Sequence, residues 1–204
     1  MSTSSASPLP ADLASALRDA LLDAADAAPL GPTPGVPAGR IDAAVLVPLF
    51  ALDGELHVVL TRRHAGLRRH SGEVSFPGGR QDDDETDLRL TALREAHEEI
   101  GLDADAVELV GALAPTPTIA TDYTVYPFVG LIQPGLRWTL SEDEVDEVIE
   151  PTIAELRQRF ARRTMVRRGI PIRTDVYALD GALVWGATAR MLSDLLGRLG
   201  AVGI

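Results

Sequence analysis

SGEVSFPGGRQDDDETDLRLTALREAHEEIGL, residues Ser71 to Leu102, places three carboxylates in register behind a glycine-rich turn. Glu95, Glu98 and Glu99 stand at i, i+3 and i+4, so a helix brings them to one face. Like charges that close repel one another unless a cation joins them. Carboxylate oxygens suit Mg²⁺ or Mn²⁺, and Mg²⁺ commonly reaches a protein through a few carboxylates plus substrate phosphates. The stretch therefore reads as a site for metal-assisted hydrolysis of a phosphate anhydride.

Working outward, Leu88 to Ile100 contains good helix formers, with Leu90, Leu93 and Ala96 available for burial and Gly101 as a stop. Upstream, the apolar run Ala43 to Phe50 and Leu56 to Thr61 flank Asp53-Gly54, which predicts a hairpin. Val74 to Phe76 adds a short strand before Pro77-Gly78-Gly79, read as a turn. Downstream, strands are expected over Val107 to Leu113 and Val125 to Ile132, with an irregular loop at Pro115 to Asp122. Thr152 to Phe160 reads as a helix, Thr174 to Leu179 and Ala182 to Trp185 as a hairpin around Asp180-Gly181, and Ala187 to Leu199 as a closing helix. Strands and helices mixed without regular alternation predict an α/β fold with a mixed sheet flanked by helices.

Residues 1–40 form an extension, with an amphipathic helix over Asp12 to Ala28 and prolines at 29, 32, 34 and 37; the domain proper is expected over 41–204. The extension suits covering a sheet edge or a dimer contact. A formal charge of -11 disfavours nucleic acid and anionic membranes as partners. The chain has no cysteine, which removes disulfides, thiolate metal sites and a cysteine nucleophile. With neither a signal-peptide pattern nor a membrane span, a cytoplasmic location is expected.

Gly79, Glu85, Arg94, Glu95, Ala96, Glu98, Glu99, Gly101 and Leu102 together resemble the Nudix box, the signature of hydrolases acting on nucleoside diphosphates linked to another moiety. Eight residues separate Glu85 from Arg94 where the commoner pattern has seven, so either Glu85 lies on a bulged loop or Asp84 shares its role. The resemblance implies the Nudix fold, an α/β/α sandwich, with Glu95, Glu98, Glu99 and Glu85 as metal ligands for Mg²⁺ or Mn²⁺. It also implies Glu98 as general base, Arg94 as an orienting group and a distal-loop glutamate, for which Glu144 is the candidate; the bland reading of Glu144 is a solvated acidic turn.

Leu60-Thr61-Arg62-Arg63, Leu67, His70, Gly72, Val74 and Phe76-Pro77-Gly78-Gly79 resemble the coenzyme A pyrophosphatase branch of that family, as do Glu144-Val145, Glu150-Pro151-Thr152 and Trp185 to Arg190. This implies hydrolysis of coenzyme A to 4′-phosphopantetheine and adenosine 3′,5′-bisphosphate, with Arg62, His70, Gly78 and Gly79 on the substrate, and a possible homodimer. Strand alternation sends Arg62 and Arg63 to opposite faces; the signature favours Arg62. Structural roles compete for His70, and His97 reads as a surface neighbour. The arginines at 157, 159, 162, 163, 167 and 168 read as a solvated face, with recognition of the coenzyme A 3′-phosphate or of another anionic partner as alternatives. Activity on ADP-ribose or another nucleoside diphosphate derivative, or nucleotide binding without turnover, are the competing functions.

Overall fold

The computed structural model describes residues 11–27, 41–66, 72–118, 122–167 and 170–204. Helices α1 (Leu13–Ala20) and α2 (Ala24–Ala27) precede strands β1 (Ile41–Leu52), β2 (Glu55–Val58), β3 (Leu60–Arg63), β4 (Val74–Ser75) and β5 (Gly78–Arg80). Helix α3 (Leu88–Ile100) is followed by β6 (Glu108–Ala112), β7 (Thr116–Pro117), β8 (Tyr123–Leu131) and β9 (Val145–Ile149). The chain ends with α4 (Ile153–Arg159), β10 (Phe160–Arg167), β11 (Ile170–Leu179), β12 (Ala182–Val184) and α5 (Gly186–Ala201).

β1 organises the molecule because its apolar run has no polar face to give to water. Eight consecutive residues, Ala43 to Phe50, are buried, as expected of a strand covered on both sides. The main sheet runs β2-β1-β8-β6, with β1 and β8 parallel and the remaining pairs antiparallel. One edge of β1 carries two partners in succession, β5 on Ala43 to Val45 and β2 on Leu49 to Leu52. Two smaller sheets, β4-β3-β9 and β10-β11-β12, flank it. Side-chain alternation splits the core in two. Ala44, Leu46 and Phe50 pack with Ala92, Ala96 and Ile100 of α3, whereas Val45, Val47 and Leu49 pack with Leu17 of α1, Leu156 of α4 and Leu192, Leu195 and Leu199 of α5. The result is the expected sandwich of helices on both faces of a mixed sheet.

The Asp53-Gly54 turn takes φ of 52° and 81°, the geometry that matches the twist of a two-residue hairpin. Other expectations shift. Gly78-Gly79, read as a turn, is strand β5. A Cβ on Gly78 would collide with the Ala44 carbonyl oxygen and the Val45 Cα, so the close approach of β5 to β1 requires glycine. The helix expected over Asp12 to Ala28 breaks after Ala20, because Leu22 exchanges two hydrogen bonds with Ala112 on β6 (3.0 and 2.9 Å). The extension thus covers a sheet edge, and Leu17 is fully buried beneath it. No helix among the described residues is long and apolar enough to cross a membrane.

Candidate active site

Helix α3 is bounded by its own sequence. The Asp87 side chain accepts from the Arg89 amide (2.9 Å), and Gly101 closes the helix at φ 70° with its N–H on the His97 carbonyl (2.9 Å). Burying Ala92, Ala96 and Ile100 against the sheet fixes the rotation of the helix. The three glutamates therefore meet solvent unequally: side-chain exposure is 2% for Glu99, 16% for Glu95 and 57% for Glu98.

Strand β5 lies directly on this face. The Gly78 amide donates to Glu99 Oε2 (3.3 Å), Arg63 Nη1 donates to Glu99 Oε1 (3.3 Å), and a Cβ on Gly79 would overlap the Glu95 carboxylate. Burial pushes the Glu99 carboxyl up to about 7, against the pull of Arg63 and the Gly78 amide and helped by Glu95 and Glu144. Glu95 is raised for the same first reason, burial, with Arg94 opposing and Glu98 and Glu144 reinforcing. Glu144 thus acts electrostatically on both buried carboxylates. Its loop is tied to the end of α3 by Ser141 N–H to Glu99 O and Thr139 N–H to Ile100 O (3.0 Å each), and its carbonyl accepts from the His64 amide (2.8 Å).

Arg94 works as a clamp. Its Nε donates to Glu85 Oε1 (2.8 Å), Nη1 to Glu95 (2.9 Å) and Glu98 (3.1 Å), and Nη2 to Glu85 Oε2 and the Arg80 carbonyl (3.3 Å each). Glu85 also accepts from Thr91 Oγ1 (2.7 Å) and the Asp82 amide (3.1 Å). These contacts hold its carboxyl down to about 2, the Arg94 hydrogen bond contributing most. The extra residue before Arg94 is absorbed in the Asp82 to Glu85 turn, closed by Glu85 N–H to Asp82 O (3.1 Å). Glu85 rather than the exposed Asp84 meets Arg94. These contacts tie Glu85 to the α3 face.

Arg62 departs from expectation. It pairs with Glu147 (3.1 Å) and donates to the Gly181 carbonyl (3.0 Å), away from the glutamates. A bulge in the pairing with β9 falls between Arg62 and Arg63 and leaves Arg63 on the site side. His70 lies outside the described residues. His64, which the sequence did not single out, binds Asp146 and joins the end of β3 to β9. His97 is exposed beside Asp103 (3.6 Å). The arginine run is dispersed: Arg157 reaches the Ile204 carbonyl, Arg159 pairs with Asp180 (3.2 Å) and Arg162 with Asp175 (2.9 Å). Arg168 lies outside the described residues.

A cavity of about 680 Å³ opens in front of β5, with Arg63, Gly78, Gly79 and Arg80 on one wall and Arg162, Arg173, Trp185 and Arg190 on the other. Among the described residues no three acidic or histidine side chains are gathered closely enough to enclose a metal unaided. The donors nevertheless suit a hard cation. They are all carboxylate oxygens, two of them buried with their charge opposed by desolvation, and such sites are completed by water and substrate phosphate.

A NUDIX domain model matches residues 36–169. The chain is 39% identical over 160 residues to NudL of Salmonella paratyphi B, a protein named as an uncharacterized Nudix hydrolase, covering 78% of this chain and 82% of that one. NudL of Salmonella newport matches to the same extent. The MutT/nudix family protein of Enterococcus faecalis shares the fold, with a TM-score of 0.52 at 15% identity over 84% of this chain and 65% of that one. The matched domain contains the clamp, the buried glutamates and the glycine strand, and the chain belongs to the Nudix hydrolase family.

Proposed function

We propose that the protein hydrolyses the diphosphate linkage of coenzyme A or its acyl derivatives, giving (acyl-)4′-phosphopantetheine and adenosine 3′,5′-bisphosphate. The observation that carries the reading is the double contact of Gly78-Gly79, which touch the Glu95 and Glu99 carboxylates of α3 and also line a large cavity bearing five arginines. The upstream residues Leu60 to Gly79 that resemble the coenzyme A branch supply β3 and β5, both at this cavity.

Glu95 and Glu99, with the exposed Glu98 and Glu144, are the residues that would hold Mg²⁺ or Mn²⁺. When bound, such a cation neutralises phosphoryl oxygens and acidifies a water. Glu98, the most exposed of the three helix glutamates, receives the proton of the attacking water as the water oxygen bonds to phosphorus and the bridging P–O bond breaks. Arg94 sets the positions of Glu95 and Glu98, with Glu85 as its anchor rather than as a ligand. Arg63 takes the phosphate-side role assigned by sequence to Arg62, beside the Gly78-Gly79 backbone.

The test is mass-resolved product formation from coenzyme A, with ADP-ribose as comparator, for wild type and Glu98→Gln in Mg²⁺ and Mn²⁺. Metal-dependent release of the two named products, reduced about 10²-fold or more in the variant, is expected. Cleavage of ADP-ribose alone would remove coenzyme A as the substrate while keeping the hydrolytic site. No cleavage of either, with metal-free nucleotide binding intact, would favour a binding module.

A further inference from the structure

The cavity is basic in an acidic protein. The chain carries a formal charge of -11, yet the cavity is lined by five arginines, at 63, 80, 162, 173 and 190, against two acidic residues, Glu73 and Asp175. On the wall nearest α3, Arg63 pairs with Glu99 (3.3 Å) and Arg80 with Asp83 (3.1 Å). The far wall is different. There Arg162 comes from β10, Arg173 from β11 and Arg190 from the second turn of α5.

Arg162 is held in place without being used up. Its Nε donates to Asp175 Oδ1 (2.9 Å), the residue directly opposite it across the β10–β11 hairpin. Asp175 Oδ2 accepts from Ser193 Oγ (3.1 Å) on α5, and Ser193 Oγ is 2.9 Å from the hydroxyl of the buried Tyr177. Asp175 is thereby anchored to the helix, and it anchors one edge of the Arg162 fork. Both Nη groups of Arg162 are without a hydrogen-bond partner among the described residues. Arg173 has no ion-pair partner among them, and Arg190 meets only the Pro117 carbonyl, with no carboxylate. Met165, Ile172 and Met191 add apolar surface to the cavity lining. Planar guanidinium forks with free donors match phosphate oxygens, whereas this wall repels a divalent cation. Arg173 and Arg190 also lie beyond the matched domain, which ends at residue 169.

We propose that Arg162, Arg173 and Arg190 form a second anion subsite, separate from the carboxylate face, which receives a phosphomonoester on the nucleotide half of the substrate. The inference rests on the reading of this cavity as the nucleotide site and deepens it: substrates are selected by a charge remote from the bond that breaks.

Calorimetric titration of the full chain in Mg²⁺ with adenosine 5′-monophosphate, adenosine 3′,5′-bisphosphate and adenosine 2′,5′-bisphosphate tests it. None of the three has a diphosphate bond to cleave. One or other bisphosphate is expected to bind about tenfold or more tightly than the monophosphate, the size of a charge-assisted hydrogen-bonded contact. Arg162→Ala and Arg173→Ala should each bring that ratio toward one with the monophosphate affinity unchanged. Arg159→Ala, whose guanidinium pairs with Asp180 and does not line the cavity, should leave the ratio as in wild type. Equal binding of all three nucleotides to wild type, or a ratio untouched in both cavity variants, overturns the subsite. Failure of the hydrolase reading is seen separately, as absence of coenzyme A products.

Discussion

Glu85 and Glu99 sit within one site and respond to pH in opposite senses. Glu85 is depressed from 4.5 to about 2, so its contribution is present above about pH 4.5 and lost as the pH falls toward 2. With little of this side chain in solvent, the gain above that window is roughly 3 kcal/mol as an upper figure. Glu85→Gln should therefore be markedly less stable than wild type at neutral pH, the gap closing in acid. Glu99 is raised from 4.5 to about 7, so in the metal-free protein its ionisation destabilises the fold as the pH climbs through that window. Glu99→Gln should be the more stable protein at pH 8, and added Mg²⁺ or Mn²⁺ should raise the wild-type Tm there but not that of the variant. Denaturant titrations across pH check both; parallel curves for wild type and either variant would refute the corresponding assignment. The two glycines of β5 separate in another way. Gly78→Ala drives a Cβ into backbone and should cost about 2–3 kcal/mol, whereas the atoms nearest a Cβ on Gly79 are those of the Glu95 carboxylate, the end of a flexible side chain. The second variant should keep its Tm within about 3 °C while losing roughly 10²-fold in kcat/KM. A Gly79→Ala protein with full activity would mean that the position of Glu95 does not matter.

At the scale of elements, what could be read from sequence was what is encoded locally. The helix over Leu88 to Ile100, with the Glu95, Glu98 and Glu99 face, follows from spacing and from Gly101, and the two Asp-Gly hairpins follow from turn chemistry. Strand β9 was hidden because Val-Asp-Glu-Val-Ile is acidic at its centre; pairing with β3 compensates. Strand β10, Phe-Ala-Arg-Arg-Thr-Met-Val-Arg, reads as charged surface until β11 lies against it. That Arg63 rather than Arg62 meets the α3 glutamates was hidden for the same reason, since a bulge in the β3–β9 register decides which side chain turns to that face. Arg173 carries no local signal, and Arg190 is marked only as the end of the Trp185 to Arg190 motif, because the wall they share forms only when the hairpin and α5 pack. Helix α4 offers a direct check on local encoding. Thr152 Oγ1 accepts from the Glu155 amide (2.9 Å) at its start, and Thr152→Ala should cost about 1 kcal/mol, or roughly 2–4 °C in Tm. An unchanged Tm would show that packing of Ile153 and Leu156 alone sets that helix.

At the scale of the whole molecule, the net charge of -11 and the arginine-lined cavity belong together: a locally positive mouth in a negative body draws anionic ligands to one place and should do so more strongly at low ionic strength. Fold and site also share one support. The β1–β8 pair is the partition between the two apolar clusters, giving Ala44, Leu46 and Phe128 to the side of α3 and Val45, Val47 and Val129 to the side of α5. A wall common to two rooms cannot be opened from one alone. In deuterated solvent the amides of Val45, Leu46, Val47, Leu49, Phe128 and Val129 should be the last to exchange, together and at the rate of global opening, while those of α1 give way earlier. If the two faces of that wall instead released their protons at separate rates, α3 and the arginine wall would belong to independently opening halves.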